Sequence, residues 1–292
     1  MIYDIRHVTD YEYAAPVADA RCLLRLTPLR EHGQEAFASS IQITPKPRAA
    51  WERQGFFGER ITYVDIDAPH TALRIETRAR ASVTRAPPAV TMASPAWEAV
   101  RVECLAAPSL GPRAPAHFLQ PSAMAPLHAP AGDYARESFP EGREILEGLI
   151  ELISRMRADF VFDPHATAIS TPLAQTFGQR RGVCQDFAHI AISGLRALGL
   201  PAAYVSGYLR TIPPPGSPRL EGADAMHAWV NVWCGEPLGW VGIDPTNALL
   251  VGEDHIAVAI GRDYADAAPV QGVFLGFGAQ QVAVSVDVTV AQ

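Results

Sequence analysis

The sequence predicts an α+β protein whose first part is antiparallel β and whose second part sets helices ahead of a sheet. Three observations carry that expectation. Apolar and polar residues alternate through residues 1–90, a proline- and alanine-rich stretch fills 91–140, and residues 141–292 pass from helical to alternating apolar spacing.

In the first part IYDIRHV, CLLRLTPL, SIQITPKP, RITYVDID and ALRIETRARASV read as strands, because they are rich in β-branched and aromatic residues. EHGQE, RQGFFGE and DAPH supply the turns, so an antiparallel sandwich or small barrel is expected for residues 1–90. Residues 91–140 read as a connector. Runs such as APSLGPRAPAHFLQPSAMAPLHAPAG make a regular element of any length unexpected there, since proline lacks the backbone donor that helices and sheets use. In residues 141–292, Ile145, Leu149, Leu152, Ile153 and Met156 recur at helical spacing before an extended FVF. STPLAQTFGQRRG follows as a short helix and turn. AAYVSGYL, MHAWVNVW, GWVGID, HIAVAI and QQVAVSVDVTV then read as strands, so this part is expected to form one α+β core.

Composition narrows the function. The 292 residues are 48% hydrophobic and 19% charged, which is the balance of a folded chain. A net charge of -7, with arginines scattered rather than clustered, argues against a nucleic-acid partner, which needs a concentrated cationic surface. The opening MIYDIRHVTDYEY carries early charges and no signal-like apolar run, and no stretch has membrane-spanning length. A cytoplasmic location without membrane association is therefore expected. The four cysteines, Cys22, Cys104, Cys184 and Cys234, form no C-x-x-C pair, which leaves no zinc-ribbon or thioredoxin-type motif.

Cys184 stands apart by position. From it, apolar residues recur at Phe187, Ala188, Ala191, Leu195 and Leu198, with Gly199 as C-terminal cap and Pro201 beyond. The thiol therefore heads a helix on its buried stripe, where first-turn amides and the helix dipole favour negative charge. Gly182 permits the close turn before it. At about 100° per residue, Asp186 lies roughly 200° and His189 roughly 140° around the helix from Cys184. Neither faces it, so CQDFAH is not a self-contained cluster. Asp186 reads as a first-turn acid and His189 as a satisfied histidine.

A better partner lies downstream. His227, Trp229, Asn231 and Trp233 share one face of a strand, and the loop CGEPLG leads into a second strand on which Trp240, Gly242 and Asp244 share a face. If Trp233 pairs with Trp240, Trp229 stands opposite Asp244 and His227 is its diagonal neighbour. A one-residue slip would carry Asp244 to the other face. A thiol at a helix start together with a histidine oriented by a carboxylate has the parts of a Cys-His-Asp triad. An inert thiol beside a buried His-Asp pair is the plain alternative.

GVCQDFAH, HAWVNVW and GWVGIDPTN, in that order and at those separations, resemble the three catalytic blocks of the transglutaminase-like superfamily. RHVTDYEYAAPV with CLLRLTP is similar to the N-terminal β-domain of many bacterial members, and GRDYADAAPVQGVFLG is similar to their C-terminal region. The resemblance implies a β-sandwich-like N-terminal domain before a papain-like core, in which the cysteine-bearing helix packs on an antiparallel sheet. It implies Cys184 as nucleophile, His227 as general base and acid, Asp244 as orienting carboxylate, and the Cys184 N–H as an oxyanion donor. Gln175 and Gln179 are candidates for a second donor. Asn231 falls where relatives often carry an acid.

The activity implied is that of a cysteine protease or amidohydrolase acting on a peptide or protein through an acyl-enzyme thioester, with no cofactor and no metal. No EF-hand loop or dense acidic run points to calcium. Transamidation, a non-catalytic scaffold, and a metal site of Cys184, His227 and Asp244 are the competing readings. TIPPPGSPRLEGADA is a candidate lid beside His227, and Trp229 and Trp233 are expected to fill the interface with the helix.

Overall fold

The computed structural model describes residues 1–106, 109–211 and 224–291. Six strands come first: β1 (Ile2–Val17), β2 (Asp19–Leu24), β3 (Gln34–Thr44), β4 (Ala49–Gln54), β5 (Arg60–Ile66) and β6 (His70–Val83). Then follow α1 (Trp97–Leu105), α2 (Ala129–Arg136), α3 (Ile145–Asp159), β7 (Val161–Phe162), α4 (Leu173–Gln179), β8 (Arg181–Gly182) and α5 (Cys184–Ala197). The chain closes with β9 (Ala202–Leu209), β10 (Ala225–Trp233), β11 (Trp240–Asp244), β12 (Leu249–Leu250), β13 (His255–Gly261), α6 (Tyr264–Ala267), β14 (Val270–Leu275) and β15 (Gln280–Val290).

Two four-stranded antiparallel sheets, ordered β15-β1-β6-β3 and β14-β2-β5-β4, form a sandwich. Alternation builds it: Ala20, Cys22 and Leu24 of β2, Val64 and Ile66 of β5, and Leu73 and Ile75 of β6 meet in one core between the sheets. One edge strand of each sheet comes from the far end of the chain, since β15 pairs with β1 and β14 with β2. Residues 141–292, read from sequence as one core, thus also supply two strands to the N-terminal sandwich. Those strands carry the right alternation, but alternation does not say which sheet a strand joins.

The second layer system is a five-stranded antiparallel sheet, β12-β11-β10-β9-β13, with helices on one side. Ala228, Val230 and Val232 of β10 and Val241 and Ile243 of β11 face the helices and share a core with Phe187, Ile190, Ala191 and Leu195 of α5. On the opposite side Trp229 packs with Leu29, Phe57, Phe118, Val205 and Val251. Trp229 therefore does not fill the helix interface as the sequence suggested. Its strand face turns toward the loops of the sandwich and the connector.

The connector also departs from expectation, because α1 and α2 are both regular helices. Pro130 lies in the first turn of α2, where a missing N–H costs nothing. Small residues then seat this helix on α5: a Cβ added at Gly194 would lie 2.9 Å from both the Ala131 carbonyl oxygen and the Ala135 Cβ. One end of the sandwich rests directly on the five-stranded sheet, with Tyr3, Ile5 and Val288 against Tyr208, Ile256 and Val258.

Candidate active site

Cys184 is the first residue of α5 and is half-buried, whereas Cys22, Cys104 and Cys234 are buried. Burial pushes the thiols of those three up. The turn before Cys184 is held by Asp186, whose Oδ2 accepts from the Val183 N–H at 2.9 Å and from Thr167 Oγ1 at 2.6 Å. Gly182 makes room for that carboxylate, since a Cβ there would stand 2.6 Å from Asp186 Oδ2. Asp186 is thus committed to the helix start. His189 is likewise occupied: its Nε2 accepts from the Tyr264 N–H at 3.2 Å, its ring packs on Tyr204, and burial pushes it down to about 4.

β10 and β11 pair in the register expected from sequence, with Trp233 opposite Trp240 and Val230 opposite Ile243. His227 Nε2 then lies 2.8 Å from Asp244 Oδ2. Asp244 is wholly buried and heavily hydrogen-bonded. Its Oδ1 accepts from the backbone N–H groups of Thr246 and Asn247 at 3.0 and 3.2 Å. Its Oδ2 also accepts from Asn247 Nδ2 at 2.7 Å and His255 Nε2 at 3.2 Å. Burial alone would raise this carboxyl, but the donors around it, His227 and His255 foremost, hold it well below the usual carboxylate range.

The imidazole of His227 is subject to opposed effects. Burial disfavours its cation, while the hydrogen bond to Asp244 and the hydrogen-bonding and Coulombic contributions of Cys184 favour it. The net result pushes His227 up to about 10. Because Nε2 is engaged by Asp244, Nδ1 is the ring nitrogen left for the sulfur. Cys184 and His227 line the same cavity, where a thiol, an imidazole and a carboxylate could act in series. Such a series can generate a nucleophilic sulfur, carry a proton and hold the imidazole in one tautomer.

Two members of the site escaped the sequence reading. Asn247 was signalled by the D-P-T-N run, an Asx-type turn in which the aspartate accepts from backbone N–H groups just beyond it. His255 carried no local signal, because it begins a strand that pairs with β9 rather than with β11. One nitrogen of His227, one of His255 and an oxygen of Asp244 lie within 4.8 Å of one another, so these three could hold a metal ion. In the present arrangement both histidines are hydrogen-bonded to Asp244.

Cys184 and His227 open on a cavity of about 720 Å³ between the sandwich and the five-stranded sheet. Gln175 and Gln179, the candidate second oxyanion donors, are both exposed on α4 and do not line it. The proposed lid, residues 211–225, falls mostly outside the described residues. Among the described residues no helix is long and apolar enough to cross a membrane.

A cysteine at a helix start beside an antiparallel sheet that carries a His-Asp pair is an arrangement met in papain-like folds, and comparison with known proteins gives it a family. Residues 135–245 match the transglutaminase-like superfamily, and residues 3–82 match the bacterial transglutaminase-like N-terminal region. An uncharacterized protein of Mycobacterium tuberculosis is 38% identical over 98% of this chain and 92% of its own length. One from Mycobacterium leprae is 29% identical over 97% of this chain and 96% of its own. A protein-glutamine gamma-glutamyltransferase of Pseudomonas aeruginosa is 30% identical over 39% of this chain and 17% of its own length. The fold is similar to that of a candidate cysteine protease from Cytophaga hutchinsonii, with a TM-score of 0.71 at 20% identity over all of this chain and 92% of the other. The chain belongs to the transglutaminase-like superfamily, with the bacterial N-terminal region ahead of the core.

Proposed function

We propose that this protein is a thiol hydrolase of peptide or amide bonds that works through an acyl-enzyme thioester. The observation that supports the reading is the hydrogen bond of His227 to Asp244, with His227 and the half-buried Cys184 lining one cavity. The sulfur attacks the carbonyl carbon, and the imidazolium of His227 gives its proton to the departing amine as the C–N bond breaks. Water then attacks the thioester, His227 takes a proton from it, and the sulfur leaves. The Cys184 N–H at the helix start is suited to stabilise the oxyanion.

Transamidation is the second reading, favoured by the likeness of the core to the Pseudomonas aeruginosa protein-glutamine gamma-glutamyltransferase. It differs only in that an amine, not water, resolves the thioester.

Alkylation of the native protein with iodoacetamide across pH, with mass mapping of the modified cysteine, tests the mechanism. Cys184 is expected to react ahead of Cys22, Cys104 and Cys234, and to lose that advantage in His227→Ala. Slow, uniform labelling of all four thiols that is indifferent to His227→Ala would overturn it. Product masses from peptide amides, with and without a primary amine, decide between hydrolysis and transamidation.

A further inference from the structure

The cavity beside Cys184 is built from two sources. Val183, Cys184 and Gln185 at the helix start, with Met226, His227 and Ala228 of β10, form one wall. The facing wall comes from the mouth of the β-sandwich. On β1 and β15 the residues His7, Thr9 and Tyr11 pair with Val286, Val284 and Val282, and all six line the space. On β2 and β14, Ala20 pairs with Phe274 and Cys22 with Gly272, and these line it too. The same face of β1 that packs on the five-stranded sheet through Tyr3 and Ile5 continues through buried His7 and Thr9 to half-buried Tyr11, and their partners Val284 and Val282 on β15 carry the exposed apolar part of that wall.

Apart from His227 beside the sulfur, the cavity lining among the described residues holds one carboxylate, Asp224, and no lysine or arginine. His7 bonds Tyr208 Oη at 3.2 Å and Thr9 Oγ1 at 3.0 Å, and burial pushes it down to about 4, so it is a neutral ring at pH 7. The carboxylate of Asp224 accepts from the backbone N–H groups of Thr211 and Val288, both at 2.6 Å. Large apolar side chains are meanwhile left in contact with water: Val282 is 49% and Val284 54% exposed, and Phe274 is 38% exposed. An apolar surface of that kind, concave and continuous with a reactive sulfur, is stabilised by an occupant that removes it from water. About 720 Å³ falls within the range of roughly 300–1,000 Å³ usual for ligand pockets.

We infer that the sandwich mouth is the acyl-side subsite of the enzyme, and that it selects substrates whose acyl portion carries a bulky, uncharged aromatic or branched aliphatic group. The inference rests on the thiol-hydrolase reading of Cys184. The acyl portion is assigned because it remains attached to sulfur while the amine departs and the next nucleophile enters. A concave space walled by two sheets suits the group that stays. The β-sandwich would then be part of the active site, contributing specificity through Tyr11 of its N-terminal strands and Val282, Val284 and Phe274 of the strands supplied by the end of the chain.

The test uses chloromethyl ketones of N-acetylated phenylalanine, leucine, lysine and aspartate, with the rate of Cys184 modification read by intact mass and peptide mapping. Phenylalanyl and leucyl ketones are expected to react at least about tenfold faster than lysyl and aspartyl ones, as a hydrophobic pocket discriminates. In Val284→Asp, on the exposed rim, the phenylalanyl-to-lysyl rate ratio is expected to fall about tenfold or invert, and Val282→Asp should act in the same direction. Equal rates for all four ketones, or ratios unchanged in both variants, overturn the subsite. Iodoacetamide, too small to use the cavity, separates the two claims. If its labelling of Cys184 does not depend on His227, the thiol reading falls; if it does and the ketones are not discriminated, the subsite alone falls.

Discussion

His227 and Asp244 meet at 2.8 Å across a two-strand register in which Trp233 faces Trp240. That pairing makes a pH signature predictable. His227 stands at about 10 in the folded protein, above its ordinary 6.5, so its contribution to stability is full below pH 6.5 and is lost as pH rises through about 10. Urea midpoints measured from pH 6 to pH 10.5 should fall more steeply in the wild type than in His227→Gln. Parallel curves would show that the imidazolium is not stabilised by the fold.

Asp244→Asn removes the charge that favours the imidazolium and leaves the turn donors of Thr246 and Asn247 facing a neutral amide. The expected result is a fall of at least about a hundredfold in the rate of acyl transfer, since charge stabilisation and tautomer control go together. Circular dichroism at pH 7 should stay close to wild type, and the alkylation rate of Cys184 should fall with the activity.

His255 donates to the same carboxylate oxygen as His227, and its buried Nδ1 has no hydrogen-bond partner among the described residues. His255→Phe is expected to cost about 1.5–3 kcal/mol of stability, the usual worth of a hydrogen bond to a charged group. It should slow Cys184 alkylation less than Asp244→Asn does. Chelator treatment of the wild type should leave the alkylation rate unchanged; a change would point to a metal held by His227, Asp244 and His255.

At Gly207 an added Cβ would lie 2.3 Å from the Ile256 carbonyl oxygen and 2.4 Å from Trp229 Cη2. Gly207→Ala therefore forces Trp229 against its neighbour His227, whose ring centroid is 6.3 Å away. A loss of about 1–3 kcal/mol is expected from overpacking, read as a lower urea midpoint. Enzyme activity should fall further than the unfolded fraction accounts for.

Arg196 anchors the far end of α5. Its buried guanidinium donates to the carbonyls of Phe118, Ala202 and Arg262 and to Ser122 Oγ. Arg196→Leu strands those acceptors, at roughly 1–3 kcal/mol for each that water cannot reach. The variant is expected to lose at least about 3 kcal/mol, measured by chemical denaturation, while Arg196→Lys recovers part of it.

The hairpin register was legible because CGEPLG is a short Gly/Pro loop and a tryptophan flanks each side. The helix start was legible because Gly182, Cys184 and Gly199 mark its bounds. Helical angles alone separated Asp186 and His189 from the sulfur. Other features depend on contacts remote in sequence. His255 reaches Asp244 from a strand beyond β9, α2 owes its place to small residues meeting Gly194, and Trp229 took the side of the sheet covered by Leu29 and Phe118. Strand alternation predicted β14 and β15 but not their partners, since an edge with the right pattern can join either sheet.

The pairing of Tyr3 with Val290 has a consequence for the order in which the molecule comes together. Every residue from β7 to β13 is inserted between strands of a single sandwich, so contacts spanning nearly the whole sequence must form before the sandwich has its edges. Loop closure over such distances is slow relative to local helix formation. During synthesis α5 can present Cys184 well before Val282 and Val284 have emerged to wall its cavity. The helix start therefore forms first, and the wall of its cavity is completed with the last strand.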